Sequence, residues 1–246
     1  LQWYVSKHNL INSNQSGFLP KHSTYELLLN ITESITEAFY QSSVIYALFI
    51  DISKAYDSLW RDGLRYKLRN NFKLSGKIYW WLDDFLKNRH GKVVINGISS
   101  PNYEFITGVP QRSCLSPLLF LIYMNDLPPL IENIINIGIF ADDVALWTHP
   151  CGKSQTKMQL QFDNLQNSIN CTSSWCNKWK FILSPTKTEY VIFTSPKKRL
   201  FPKNDIIIQN HSISPTNKVK YLGIILDQHL SWKEHLNCIY SKTMRK

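Results

Sequence analysis

Two adjacent carboxylates at the tip of an apolar hairpin constrain this chain more than any other feature. Asp142 and Asp143 lie between Ile134-Ile135-Asn136-Ile137-Gly138-Ile139-Phe140 and Val144-Ala145-Leu146-Trp147, two runs that read as strands. Neighbouring charges at the end of an apolar hairpin are costly unless water solvates them or a cation compensates them. A hard divalent cation such as Mg²⁺ suits the position, because it takes one or two carboxylates and leaves coordination sites for phosphates. Aspartates are also common in ordinary turns, so the pair by itself leaves that alternative open.

A second signal narrows the choice. Val44-Ile45-Tyr46-Ala47-Leu48-Phe49-Ile50 is a β-branched and aromatic run that reads as a buried strand. It ends on Asp51, followed by Ile52-Ser53-Lys54-Ala55-Tyr56-Asp57. If the two strands are neighbours in one sheet, Asp51 meets Asp142 across the sequence. Carboxylates at adjacent strand ends can hold two Mg²⁺ ions about 3.5–4 Å apart, an arrangement suited to in-line phosphoryl displacement.

The 246 residues can bury a sizeable core as one large domain or two small lobes. With 43% hydrophobic and 19% charged residues the composition is globular, not disordered. A net charge of +10 favours a polyanionic partner. An anionic membrane surface would suit that charge equally, but no apolar run approaches the roughly 18 residues of a spanning helix, and no membrane partner is expected. The five cysteines (Cys114, Cys151, Cys171, Cys176 and Cys238) are odd in number and form no C-x-x-C pair, so free thiols in an intracellular protein are expected. Nucleus and cytoplasm are not distinguished, and nothing specifies an oligomeric state. No signal peptide is recognisable, and both ends, Leu1 and Lys246, are expected to have been cut from something longer.

Ser23 or Thr24 is expected to cap a helix bearing Leu27, Ile31, Ile35 and Ala38 on one face. Helical patterns run through Leu64 and Leu68, then from Ile78 to Leu86. Lys92-Val93-Val94-Ile95 and Tyr103-Glu104-Phe105-Ile106 read as one hairpin, with Asn96-Gly97 and Pro101 between them. Ser116-Pro117 predicts a helix start, with Ser116 as its N-cap, and Pro128-Pro129 its end. Met158, Phe162, Leu165, Ile169 and Cys176 mark a long amphipathic helix, and Trp175 and Trp179 are expected in the core. Tyr190-Val191-Ile192-Phe193 is a strand, and Pro196-Lys197-Lys198-Arg199 a basic loop that is either solvated or in contact with phosphate. A last strand, Val219 to Leu226, precedes a helix starting near Ser231. This mixed order of strands and helices argues for an α+β architecture.

Several of these segments resemble the catalytic motifs of reverse transcriptases from non-LTR retrotransposons, the jockey-like group especially. Phe49-Ile50-Asp51-Ile52-Ser53-Lys54-Ala55-Tyr56-Asp57 and Phe140-Ala141-Asp142-Asp143 are similar to the two catalytic motifs. Gly108-Val109-Pro110-Gln111-Arg112-Ser113-Cys114-Leu115-Ser116-Pro117-Leu118-Leu119-Phe120 resembles the loop that contacts template and nucleotide. Gln15-Ser16-Gly17-Phe18, Lys187-Thr188-Glu189 and Tyr221-Leu222-Gly223 look like further motifs in the expected order.

The resemblance implies a right-hand polymerase with a palm, partial fingers and a largely absent thumb. Residues 1–43 would be partial fingers, 44–61 palm with the first catalytic motif, and 62–107 a fingers or palm insertion. Residues 108–200 would be palm, and 201–246 the primer-grip region with the start of a following helix. The implied activity is RNA-directed DNA synthesis by a nucleotidyltransferase of a mobile element, with an RNA template, a DNA primer and deoxynucleoside triphosphates as partners. Asp51, Asp142 and Asp143, with the Ile52 carbonyl, would hold two Mg²⁺ ions, Mn²⁺ being an alternative. Lys187 would neutralise the leaving pyrophosphate, and Tyr56 would lie under the incoming sugar and exclude a 2′-hydroxyl. Gln111 would contact nucleotide or template through its amide, and Tyr221, Leu222 and Gly223 would support the primer terminus.

The chain departs from the pattern of that family at several points. Arg112 stands where Gly is usual, Cys114 where a small aliphatic is usual, and Leu19 where Arg follows Gly-Phe. A Gly needed for positive φ or close backbone approach would make Arg112 a source of strain. The family's basic fingers motif, expected ahead of Gln15, is absent from this sequence. These departures keep open a rival reading, a catalytically degenerate relic that retains the fold and binds nucleic acid.

Overall fold

The computed structural model describes residues 1–131, 134–197 and 201–244. A short helix, α1 (Gln2–Lys7), and a long one, α2 (Thr24–Tyr40), precede the strand β1 (Val44–Ile50). Helices α3 (Ala55–Ser58) and α4 (Arg61–Tyr66) follow, then a π-helical turn at Lys67–Asn71 and α5 (Gly76–Phe85). Short strands come next: β2 (His90–Gly91), β3 (Val94–Ile95), β4 (Ile98–Ser99) and β5 (Tyr103–Glu104). Helix α6 (Ser116–Met124) leads to the hairpin of β6 (Asn136–Phe140) and β7 (Asp143–Trp147). Helix α7 (Gln155–Lys178) leads to β8 (Glu189–Thr194). Two small hairpins, β9 (Ile206–Ile208) with β10 (His211–Ile213) and β11 (Lys218–Tyr221) with β12 (Ile224–Asp227), precede α8 (Lys233–Thr243).

The main sheet runs β6-β7-β1-β8, every neighbouring pair antiparallel. Its middle strand β1 is buried along its whole length, which explains the unbroken apolar run. Alternate residues enter two cores. Tyr46, Leu48 and Ile50 face Phe120, Phe162 and Leu165 from α6 and α7. Ile45, Ala47 and Phe49 face Ile31 and Ile35 of α2, with Tyr221 and Leu226 from the last hairpin. A strand covered on both faces has no place for the polar alternation of a half-exposed one. Asp51 is therefore the first position after Val44 at which the chain leaves the core.

The expected helices at 24–40 and 155–178 are present, with Leu27, Ile31, Ile35 and Ala38 buried in the first and Met158, Phe162, Leu165, Ile169 and Cys176 in the second. Other expectations are corrected. Val94–Ile95 pairs with Ile98–Ser99, and Tyr103–Glu104 pairs back to His90–Gly91, so the single expected hairpin is two nested ladders. Asn96 and Gly97 both take positive φ, 49° and 81°, which closes a two-residue turn and leaves 103–106 to pair elsewhere. Val219–Leu226 is likewise not one strand: Leu222 and Gly223, at φ 46° and 87°, fold it into the hairpin β11–β12. Leu115, not Ser116, is the N-cap of α6, and Ser116 is buried as its first residue. The hairpin β9–β10 had no counterpart in the sequence reading. Of the basic loop, Lys198 and Arg199 lie outside the described residues.

Trp175 and Trp179 are core residues as expected, and they enclose a buried cation. Lys67 Nζ lies 3.8 Å from the Trp179 ring centroid, 4.6 Å from that of Tyr123 and 4.9 Å from a Trp175 ring. It donates to the Tyr123 carbonyl and, at 2.6 Å, to Asp126 Oδ1, which also accepts from Trp175 Nε1 at 2.8 Å. Burial lowers the Lys67 ammonium to about 8, with Asp126 opposing the shift and Lys178 adding to it. The π-helical turn is thereby fastened to α6 and α7. Among the described residues no helix is long and apolar enough to cross a membrane, and all five cysteines are free.

Candidate active site

The register fixes which carboxylates meet. Ile50 is paired with Val144 and Phe140 with Asp143, so Asp51, Asp142 and Asp143 emerge at one end of the sheet. The Asp51 backbone is held on its β8 side: its N–H donates to Thr188 Oγ1 at 3.4 Å and its carbonyl accepts from Ser184 N–H at 3.0 Å. Ser53 N–H donates to the Ile182 carbonyl at 2.9 Å, completing an antiparallel bridge between Ile52 and Leu183. In such a bridge the intervening residue turns its own carbonyl away from the partner. The Ile52 carbonyl therefore faces the β7 side, where the aspartates lie.

The electrostatics are those of an uncompensated acidic cluster. Burial raises the Asp143 carboxyl, and the charges of Asp142 and Asp51 raise it further. Among the described residues Asp51 Oδ2 is buried without a hydrogen-bond donor, and its ion-pair partner, Lys187 Nζ, stands 3.9 Å away on an exposed side chain. All the donors are hard oxygens, which fits a cation such as Mg²⁺. Among the described residues no three His, Cys, Asp or Glu side chains already close round a point as a metal cage. Mg²⁺ does not require one, because it commonly keeps waters and substrate phosphates in its shell.

Asp51, Asp143 and Lys187 line a cleft of about 300 Å³ whose other wall is Lys220, Tyr221, Leu222 and Gly223. The last hairpin thus faces the carboxylates directly. Tyr221 is buried against Phe49, ring centroids 5.0 Å apart, and its hydroxyl is pushed up by burial and by the Asp143 charge. Leu222 holds φ 46°, a left-handed conformation that a branched side chain adopts at a cost.

Tyr56 is half-buried on the opposite flank. Its ring stacks on Phe120 with centroids 4.4 Å apart and meets Phe18 edge-on at 6.5 Å. Its hydroxyl has no hydrogen-bond partner among the described residues, and burial, then the Asp142 charge, pushes it up. Gln111 lines a different and larger hollow of about 740 Å³, with Lys54, Asp57, Arg61 and Arg89 among its walls. That hollow contains none of the three carboxylates, whereas Asp51 and Asp143 line the smaller cleft, so chemistry, not size, makes the smaller cleft the candidate site. Gln111 Nε2 donates to both Asp57 oxygens, at 2.9 and 3.0 Å. Arg61, almost wholly buried, donates to the carbonyls of Phe105, Thr107 and Gly108, clamping the irregular segment that leads to Gln111. Arg112 takes φ 61°, the conformation for which Gly is suited.

The sequence profile of the family described as reverse transcriptase (RNA-dependent DNA polymerase) matches residues 1–226. This chain belongs to that family. Among relatives, the transposon BS protein of Drosophila melanogaster is 30% identical over 240 residues, covering 94% of this chain and 25% of its own length. The RNA-directed DNA polymerase of the mobile element jockey from Drosophila funebris is 29% identical over 231 residues, 92% of this chain and 24% of its own. The chain thus spans about a quarter of the length of these relatives. Among solved structures, telomerase from Candida albicans in complex with a fragment of telomeric RNA aligns with TM-score 0.63 at 14% identity, over 94% of this chain and 37% of that one. Telomerase from Candida tropicalis gives 0.62 at 13%, over 93% and 38%. At such identity the likeness concerns the fold alone, and the mixed helices and sheet are consistent with the palm and fingers of a reverse transcriptase.

Sequence reasoning left several residues of this site without a role. Asp57, Arg61, Thr188 and Ser184 hold backbone or amide groups through partners distant in sequence, which no local periodicity signals. Gln15, Ser16 and Gly17 show in the sequence only as a motif.

Proposed function

We propose that this chain is the RNA-directed DNA polymerase domain of a mobile element, extending a primer on an RNA template with deoxynucleoside triphosphates. The observation that carries this reading is the meeting of Asp51, Asp142 and Asp143 at one sheet end, with Asp51 Oδ2 buried and undonated. These carboxylates, with the Ile52 carbonyl, would hold two Mg²⁺ ions, or Mn²⁺. When bound, such ions supply charge neutralisation for the triphosphate and for the primer 3′-hydroxyl as it attacks.

The chain's own residues mainly orient and neutralise, which is what phosphoryl transfer asks of a protein. Lys187, exposed beside Asp51, neutralises the leaving pyrophosphate. The Tyr56 ring, backed by Phe120, lies under the incoming sugar and leaves no room for a 2′-hydroxyl. With Gln111 Nε2 engaged by Asp57, its contact with nucleotide or template falls to Oε1. Tyr221, Leu222 and Gly223 support the primer terminus across the cleft.

One observation favours a second reading, a degenerate relic that binds nucleic acid without catalysis: Arg112 is strained in the nucleotide-side loop. Primer extension on an RNA template separates the two. The polymerase reading expects extension with Mg²⁺ that chelator abolishes and Asp142→Asn eliminates. No extension with either Mg²⁺ or Mn²⁺, alongside retained salt-sensitive RNA binding, would establish the relic.

A further inference from the structure

The turn that carries Asp142 is not self-supporting. Ala141 holds φ 59°, a left-handed conformation that an L side chain disfavours, and the hairpin's own ladder stops at the Phe140–Asp143 pair. A segment more than a hundred residues earlier props it. Ser16 N–H donates to the Ile139 carbonyl and Ile139 N–H to the Asn14 carbonyl, both at 2.9 Å, so that residues 14–16 run parallel beside the end of β6. Gln15, 2% exposed, sends its side chain to the turn itself. Its Oε1 accepts from Ala141 N–H at 3.1 Å and from Gly17 N–H at 2.9 Å. Gly17 packs so closely that a Cβ there would lie 2.4 Å from the Ala141 nitrogen. Gln15 Nε2 is meanwhile buried with no acceptor among the described residues. A side chain kept for stability alone would not strand a buried donor, whereas one kept for its oxygen's position would.

We infer that Gln15 is a positioning residue for the catalytic turn: its carboxamide oxygen pins the Ala141 amide in the left-handed conformation and so sets where the Asp142 and Asp143 carboxylates point, with Gly17 providing the close approach. The inference rests on the reading of those carboxylates as metal ligands. It makes residue 15 a determinant of divalent-cation affinity although it touches neither ion nor substrate. Removing a partner that orients a ligating group typically lowers metal affinity about 10- to 100-fold.

The test uses the 246-residue chain and Mn²⁺, followed by the electron paramagnetic resonance of the free ion, with amide exchange at residues 139–143. Gln15→Met keeps the shape and removes the acceptor. It should weaken Mn²⁺ binding about tenfold or more and speed exchange of the Ala141 amide, while exchange along 45–49 in β1 stays slow. Adding Ala141→Gly, which makes the left-handed turn easy without a brace, should restore much of the lost affinity. Unchanged Mn²⁺ affinity and Ala141 exchange in Gln15→Met overturn the inference, as does a double variant no better than the single one. If Gln15→Met does not fold, the double variant decides: recovered folding with recovered Mn²⁺ binding supports the inference, and failure of either sinks it. Asp142→Asn keeps the two readings apart. If it binds Mn²⁺ like the wild type, the metal assignment fails, and Ala141 exchange alone then decides whether Gln15 holds the turn.

Discussion

Two charged clusters in this molecule solve opposite problems. In the body of the domain, Lys67 is fully buried, yet the chain supplies everything it needs: Asp126, the Tyr123 carbonyl and three aromatic faces. At the sheet end, Asp51, Asp142 and Asp143 repel one another, and among the described residues their one ion pair is with an exposed Lys187 at 3.9 Å, Lys220 standing on the far wall of the cleft. Where charge fastens the fold, the sequence carries the counter-charge. Where it performs chemistry, the sequence leaves the counter-charge to a ligand. The difference separates a structural site from a candidate active site without any appeal to size or shape.

Breaking the self-sufficient cluster should have the largest consequence. Asp126→Asn leaves a buried ammonium with only neutral partners, and chemical denaturation should report a loss of about 3 kcal/mol, the scale for breaking a buried ion pair. Raising the pH should do the reverse. Lys67 has a folded-state value of about 8, below its unfolded 10.5. Between those values the unfolded chain binds more protons, so stability rises with pH and falls again as pH drops through 8. By pH 9.5, before the tyrosines titrate, the gain should be roughly 2 kcal/mol, at 1.36 kcal/mol per unit. Lys67→Met should lack that slope, and equal slopes in both proteins would remove the caged ammonium from the account.

The acidic cluster should respond in the opposite sense and more weakly. Arg112→Gly, in the loop that carries Gln111, relieves a left-handed φ and should raise the unfolding free energy by about 1 kcal/mol. A loss instead would show that the guanidinium makes a contact that outweighs the strain. Asp143→Asn removes a carboxylate whose folded-state pKa is raised, so stability surrendered as pH climbs past the carboxylate range should return. The gain at neutral pH should be about 0.5 kcal/mol, kept small because the carboxylate, although partly shielded by its neighbours, still reaches solvent and is screened. Destabilisation by Asp143→Asn would mean that the cluster is compensated after all.

Much of this arrangement was legible in the sequence, for physical reasons that differ by region. β1 announced itself because a strand covered on both faces must be apolar throughout, and Asp51 marked its end. α7 was equally plain, since its buried residues recur at helical spacing. The stretches at 92–106 and 219–226 were misread because each contains a pair of consecutive left-handed residues, Asn96-Gly97 and Leu222-Gly223. The second pair places a leucine where a branched side chain is disfavoured, so nothing in its composition signalled a turn. Among site residues, Asp51, Asp143 and Lys187 share one cleft, with Asp142 on the turn beside Asp143, while Gln111 lies in another hollow, bound to Asp57. The Lys67 cage and the Gln15 brace were out of reach, because each joins side chains far apart in sequence and leaves no periodic trace.

The arrangement of the three carboxylates as a cation site can be examined directly by anomalous scattering from crystals of the chain grown with Mn²⁺. The account predicts a peak at the sheet end, about 2.1 Å from a carboxylate oxygen of Asp51 and of Asp142 or Asp143, close to Mg²⁺–oxygen distances. The peak should be lost in Asp142→Asn. Mn²⁺ peaks only elsewhere on the molecule, with the sheet end bare, would contradict it.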